Sequence, residues 1–102
     1  MKVCFRTAYL ADLYEKQLNL IRGKHKFPLS IIKQYRKVVS IIISSKSLNE
    51  LKGYRSLNYE MLKGDRQGQM SLRLNKQYRL IITKVNNDEL LIYIEEISKH
   101  YE

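Results

Sequence analysis

Near Gly53 the apolar positions of this chain change period from 3.6 to 2, and the change divides it into a mainly helical half and a stranded half. Before it, Val3 and Phe5 alternate with Lys2, Cys4 and Arg6, the pattern of a short half-buried strand. From Ala8 to about Ile21, Leu10, Leu13, Tyr14, Leu18 and Ile21 recur at steps of three and four, which predicts a helix that Gly23 can stop. A basic loop carrying His25 follows, and Pro28 suits the first turn of a second helix. In that helix Ile31, Tyr35, Val38 and Ile42 form one stripe, Ile32, Val39 and Ile43 widen it, and Lys33, Arg36 and Lys37 take the far side. Ser47 and Glu50 have capping-box spacing, so a short helical turn is expected to end at Gly53.

After Gly53 the alternation has period two. Met70, Leu72 and Leu74, then Tyr78, Leu80 and Ile82, then Leu90, Ile92 and Ile94 each mark one face of a strand. Asn75-Lys76-Gln77 and Asn86-Asn87-Asp88 are connectors of hairpin length, so the three strands should form an antiparallel meander. Tyr59 to Leu62, ahead of the Gly64–Gly68 turn, could supply a further strand. The expected class is α+β: an N-terminal strand and two to three helices on one face of a mainly antiparallel sheet of four or five strands. The other face is left free, and Arg73 and Arg79 are placed there.

At 102 residues, with no repeat or low-complexity tract, the chain reads as a single domain over 1–102. One cysteine, Cys4, forms no internal disulfide, and the opening residues lack the order of a secretory signal, which points to the cytoplasm. The most apolar run, Val38 to Ile43, is far short of the ~18 residues a membrane span needs. Charge narrows the partner. Nineteen Lys and Arg against ten Asp and Glu leave +9, and eight Tyr with two Phe supply rings for stacking, a combination suited to nucleic acid.

Metal and nucleotide chemistry find little support. One Cys and two widely spaced His match no zinc pattern, and the Gly64–Gly68 stretch lacks the Lys-Ser/Thr of a phosphate-binding loop. What remains is Glu60, Lys63, Arg66, Arg73, Arg79, Lys99, His100 and Tyr101 in the stranded half. These types suit phosphodiester cleavage without a metal: a base for the ribose 2′-OH, a cation for the phosphate oxygens and an acid for the leaving 5′-oxygen. Each also has a plain alternative. Glu60 could be a surface charge, Arg73 a solvent-facing strand residue and His100 part of a frayed terminus.

The stretch from Asn58 to Leu80 carries Leu62-Lys63-Gly64-Asp65-Arg66-Gln67-Gly68 and then Ser71-Leu72-Arg73-Leu74-Asn75-Lys76-Gln77-Tyr78-Arg79. It resembles the signature of the RelE/ParE superfamily of bacterial toxins, especially the HigB and YoeB branches. The resemblance implies a ribosome-dependent mRNA endonuclease, the toxin of a type II toxin–antitoxin pair, that cuts the message in the ribosomal A site without a metal or other cofactor. It implies Glu60 as base or orienting carboxylate, Arg73 as the stabiliser of transition-state charge and Arg79, near the phosphate, as either its assistant or a structural arginine. His100 takes the place of the general acid, with Tyr101 stacking on or orienting substrate. Lys63, Arg66 and Lys99 become candidates for RNA and ribosome binding. Three departures bear on base stacking and codon choice: Ser98 stands where HigB-like toxins have Asp, Lys99 replaces a Tyr, and Met70 replaces a frequent aromatic. An antitoxin protein, acidic or amphipathic, is the implied partner. A ParE-like inhibitor of a topoisomerase, which cuts no RNA, and an inactive basic RNA-binding module are the other two readings.

Overall fold

The computed structural model describes residues 1–17, 19, 27–86 and 88–99, with the side chains of 88 and 89 excepted. Its elements run β1 (Lys2–Phe5), α1 (Ala8–Glu15), α2 (Leu29–Ser44), α3 (Leu48–Lys52), β2 (Glu60–Met61), β3 (Gln69–Arg73), β4 (Tyr78–Val85) and β5 (Asp88–Lys99). Single 3₁₀ turns cover Arg55–Leu57 and Gly64–Arg66. The five strands form one sheet in the order β1-β5-β4-β3-β2. β2, β3, β4 and β5 pair antiparallel, and β1 pairs parallel with β5. The α+β architecture expected from the pattern is present, with the short strand before the Gly64–Gly68 turn confined to Glu60 and Met61.

The helices bury one face of this sheet. Leu13, Ile31, Ile32, Tyr35, Val38, Val39 and Ile42 from α1 and α2 join Met70, Leu72, Leu80, Ile82, Ile92 and Ile94 in one core. The Tyr35 ring is fully buried and its hydroxyl donates to the Leu10 carbonyl at 2.7 Å, which satisfies the one polar atom it carries inward. Burial pushes that phenol well above its ordinary pKa.

Helix ends differ from the sequence expectation in ways with physical causes. Thr7 caps α1, its hydroxyl accepting from Leu10 N at 3.2 Å. The helix ends at Glu15, well short of Ile21. Arg36 of α2 turns inward, its Nε donating to the Leu13 carbonyl at 2.6 Å and its Nη2 to the Lys16 carbonyl, so a guanidinium takes the place of the next helical turn. Arg36 therefore does not join Lys33 and Lys37 on the far side. Leu18, Ile21, Gly23 and His25 lie outside the described residues. Pro28 is the residue before α2, and its carbonyl accepts from Ile31 N and Ile32 N. Ser47 caps α3 as expected, while Glu50 reaches the Lys46 amide, one residue earlier than a capping box would have it.

Turn chemistry fixes the meander. Asn75 Oδ1 accepts from the amides of Gln77 and Tyr78 at 2.7 and 2.8 Å, closing the β3–β4 hairpin. Asn86 opens the next turn at φ +50°, and Gly64 and Gly68 stand at φ +67° and +93°, where a Cβ is strained. Leu90 shares the strand phase of Ile92 but is 58% exposed. Among the described residues no helix is long and apolar enough to cross a membrane.

Candidate functional site

The sheet register builds the site on the face away from the helices. Met70, Leu72, Leu80 and Ile82 point into the core, so Ser71, Arg73, Arg79, Ile81 and Thr83 point the other way. Cross-strand partners then fall into rows. Glu60 pairs with Ser71, Ser71 with Ile81 and Ile81 with Glu96; in the next row, Arg73 pairs with Arg79 and Arg79 with Ser98. Glu60 and Arg73 are thus diagonal neighbours, a relation that sets Cα atoms ~7–8 Å apart.

Two arginines directly opposite on adjacent strands repel each other, and like charges so placed destabilise a sheet. Neither Arg73 nor Arg79 has a carboxylate partner among the described residues. Arg73 is exposed, whereas Arg79 is half-buried and its Nη1 is buried with no hydrogen-bond partner among the described residues. A buried guanidinium N–H left unpaired costs about 1–3 kcal/mol. An anion between the two strands would satisfy it and screen the repulsion.

Space for that anion exists. A depression of about 250 Å³ is lined by Leu62, Arg66, Ser71, Arg79, Ile81, Ser98 and Lys99. The face is not bare, since Ser71 and Ile81 are each 3% exposed although they turn away from the helices. Arg66 comes from the turn after β2, its Nη1 donating to Glu96 Oε1 at 2.6 Å and to Gln69 Oε1 at 3.3 Å. On the rim, Glu60 is exposed and accepts from Asn58 Nδ2 at 3.2 Å, with Asn58 held at φ +44°.

The structure thus brings Arg66, Arg79 and Lys99 to one depression and sets Arg73 and Glu60 beside it. Lys63 is turned elsewhere, lining a second depression with Met61, Leu62, Gly64, Gln67 and Gly68. His100 and Tyr101 lie outside the described residues; β5 ends at Lys99, with Ser98 opposite Arg79. Glu96 escaped the sequence reading, because strict alternation from Ile94 would have sent it to the core. A register shift in β5 turns it outward, and the one signal for this was the spacing Ile92, Ile94, Ile97, two and then three.

At the other end of the same face, Arg6 grips Glu95 with Nε to Oε2 at 3.0 Å and Nη2 to Oε1 at 2.8 Å, and Thr83 donates to Glu95 Oε1 at 2.8 Å. The Arg6 hydrogen bonds hold the Glu95 carboxyl below its usual range, and the same pair raises Arg6. Among the described residues no three His, Cys, Asp or Glu side chains gather as metal ligands.

Comparison with known proteins decides the family. Residues 3–97 match the family model described as the RelE-like toxin of type II toxin–antitoxin system HigB. The chain belongs to this HigB-like toxin family. Among solved structures, the toxin is similar to a YoeB–YefM complex from Staphylococcus aureus, with 20% identity over 99% of this chain and 98% of that one and a TM-score of 0.60. It is also similar to a YoeB/ParE toxin from Agrobacterium tumefaciens, with 17% identity over 99% and 100% of the two chains and a TM-score of 0.57. These two likenesses show a shared fold. No curated protein matches the chain.

Proposed function

We propose that this HigB-like toxin is an mRNA endonuclease that acts on the ribosome, and that the helix-free face is its active surface. The observation that carries the reading is the pair of opposed arginines, Arg73 and Arg79, with the buried Arg79 Nη1 unpartnered among the described residues, beside a depression that fits a phosphate. The placement of Glu60, Arg73 and Arg79 supports the following chemistry, with the roles of His100 and Tyr101 taken from the sequence resemblance. A carboxylate at Glu60, orienting or deprotonating the ribose 2′-OH, lets that oxygen attack the adjacent phosphorus. Arg73 and Arg79 take the charge that builds on the non-bridging oxygens. The 5′-oxygen departs with a proton from His100, leaving a 2′,3′-cyclic phosphate and a 5′-hydroxyl, and Tyr101 orients the base. These steps use no metal. Arg66 and Lys99 hold neighbouring RNA backbone, and Lys63, on its separate depression, contacts ribosomal RNA.

A cognate antitoxin is supported by the family, a toxin of a type II toxin–antitoxin system, and by the neighbour that is a YoeB–YefM complex. An acidic or amphipathic segment suits the +9 chain. The test is induced expression in a growing bacterium with RNA 5′-end mapping. The proposal expects growth arrest with new ends inside translated frames, absent for Arg73→Ala. Arrest with intact messages and altered DNA supercoiling would replace it with a topoisomerase inhibitor, and unimpaired growth would replace it with an inactive RNA-binding module.

A further inference from the structure

β5 gains one residue against β4. Ile81 pairs with Glu96 but Ile82 pairs with Ile94, so Glu95 is the extra residue of a β-bulge. The side chains show the effect. Ile92, Ile94 and Ile97 all reach the core, while Glu95 bonds Arg6 and Thr83 and Glu96 bonds Arg66, all on the opposite face. Two consecutive glutamates share a face only because the bulge resets the alternation. Without it, Glu96 and Ser98 would turn toward the core and Ile97 toward the depression.

The bulge is fastened from both neighbouring strands. Arg6, at the end of β1, forms the bidentate pair with Glu95 and lies over the Tyr93 ring at 4.7 Å, and its own amide donates to the Ile94 carbonyl at 2.9 Å. Thr83 of β4 supplies the third bond. The Glu95 side chain is 11% exposed and that of Arg6 54%, so the carboxylate is shielded from water while the guanidinium is not. Beyond the bulge, Ser98 and Lys99 line the depression that holds Arg79, and the sequence continues into His100.

We infer that Arg6, Glu95 and Thr83 form a clamp whose task is to set the phase of the last four residues of β5, making Arg6 and Glu95 positioning residues for the anion site although neither lines it. As a statement about catalysis the inference rests on the endonuclease reading; as a statement about geometry it does not. The clamp explains why an arginine follows directly on the parallel edge strand and bonds along the outer face.

The experiment uses the full-length protein, Arg6→Ala, Glu95→Gln and the reciprocal Arg6→Glu/Glu95→Arg pair. Amide hydrogen exchange is followed by NMR, with inorganic phosphate titrated against the Arg79 side-chain resonance. Freeing the clamp speeds exchange at Glu96 to Lys99 about tenfold, with α2 and β3 protected as before. It also weakens phosphate at Arg79 several-fold, and the reciprocal pair restores both. In a cleavage assay kcat falls by about tenfold to a hundredfold with KM little changed, as misplacement of a catalytic end predicts. Unchanged exchange at 96–99 in both single variants overturns the clamp, as does a loss of protection spread evenly over the sheet. If the unaltered protein cuts no RNA, the endonuclease reading fails by itself, and the exchange data still decide the clamp.

Discussion

Arg79→Met separates the cost of the site from its use. Among the described residues Nη1 of Arg79 is buried without a partner, a loss of about 1–3 kcal/mol for a neutral group and more for a charged one. The same guanidinium faces Arg73 across the ladder, which adds repulsion. Methionine keeps the length of the aliphatic stem and removes both penalties, while giving up the stem's polar end. The expected balance is a stability equal to the parent's or about 1 kcal/mol higher, and a gain of that size raises Tm by roughly 4–8 °C in a domain of this size. Activity moves the other way. Removing a donor aimed at transition-state charge costs about 2.7–4 kcal/mol, or 10²–10³ in rate. Thermal unfolding in a chloride buffer, paired with cleavage rates at saturating ribosomes, reads both quantities. A fall in Tm combined with undiminished cutting would show that Arg79 is a structural arginine and that no anion belongs beside it.

Three further outcomes are expected. Tyr35→Phe removes the hydroxyl that donates to the Leu10 carbonyl in the core but leaves that carbonyl its place in the α1 ladder, which should destabilise the toxin by about 0.5–1.5 kcal/mol in urea unfolding. Glu95 has its carboxyl held below the usual range by Arg6, so the stability it contributes is full above the ordinary carboxylate pKa and is lost as pH falls through the lowered folded value. Glu95→Gln should therefore flatten the acid limb of a stability–pH curve and leave the neutral-to-basic limb parallel to the parent's. Binding to single-stranded RNA should weaken with salt at a log–log slope of about −0.7 per neutralised phosphate, and Arg73→Ala should remove about one such unit; an unchanged slope would place Arg73 off the RNA path.

Much of the fold was legible because the residues that define it are local. The period-two runs of β3 and β4, Asn75 at one turn and the stripe from Ile31 to Ile42 each announce an element through near neighbours. What escaped is non-local. Arg36 reads as a solvent-facing helical cation, yet it caps the end of α1 from another helix. The parallel pairing of β1 with β5 joins residues almost the whole chain apart, and no periodicity encodes it. The site divides along the same line. Arg73 and Arg79 were assigned to the free face from alternation alone, and they stand opposite one another there. Glu96 was missed because a single extra residue at Glu95 reverses the phase. Lys63 shares the motif with Arg66 but lines a different depression, since the positive-φ turn at Gly64 separates them.

The central claim is that the opposed arginines hold the phosphate of a message that is being cut. Primer extension on a defined message in a purified translation system tests it most directly, with the unaltered toxin, Arg73→Ala and His100→Ala run side by side, each with and without chelator. The account predicts discrete ribosome-dependent cuts that survive the chelator and disappear in both variants. Cuts of equal strength in Arg73→Ala, or no cut by the unaltered toxin in the presence of translating ribosomes, would contradict it.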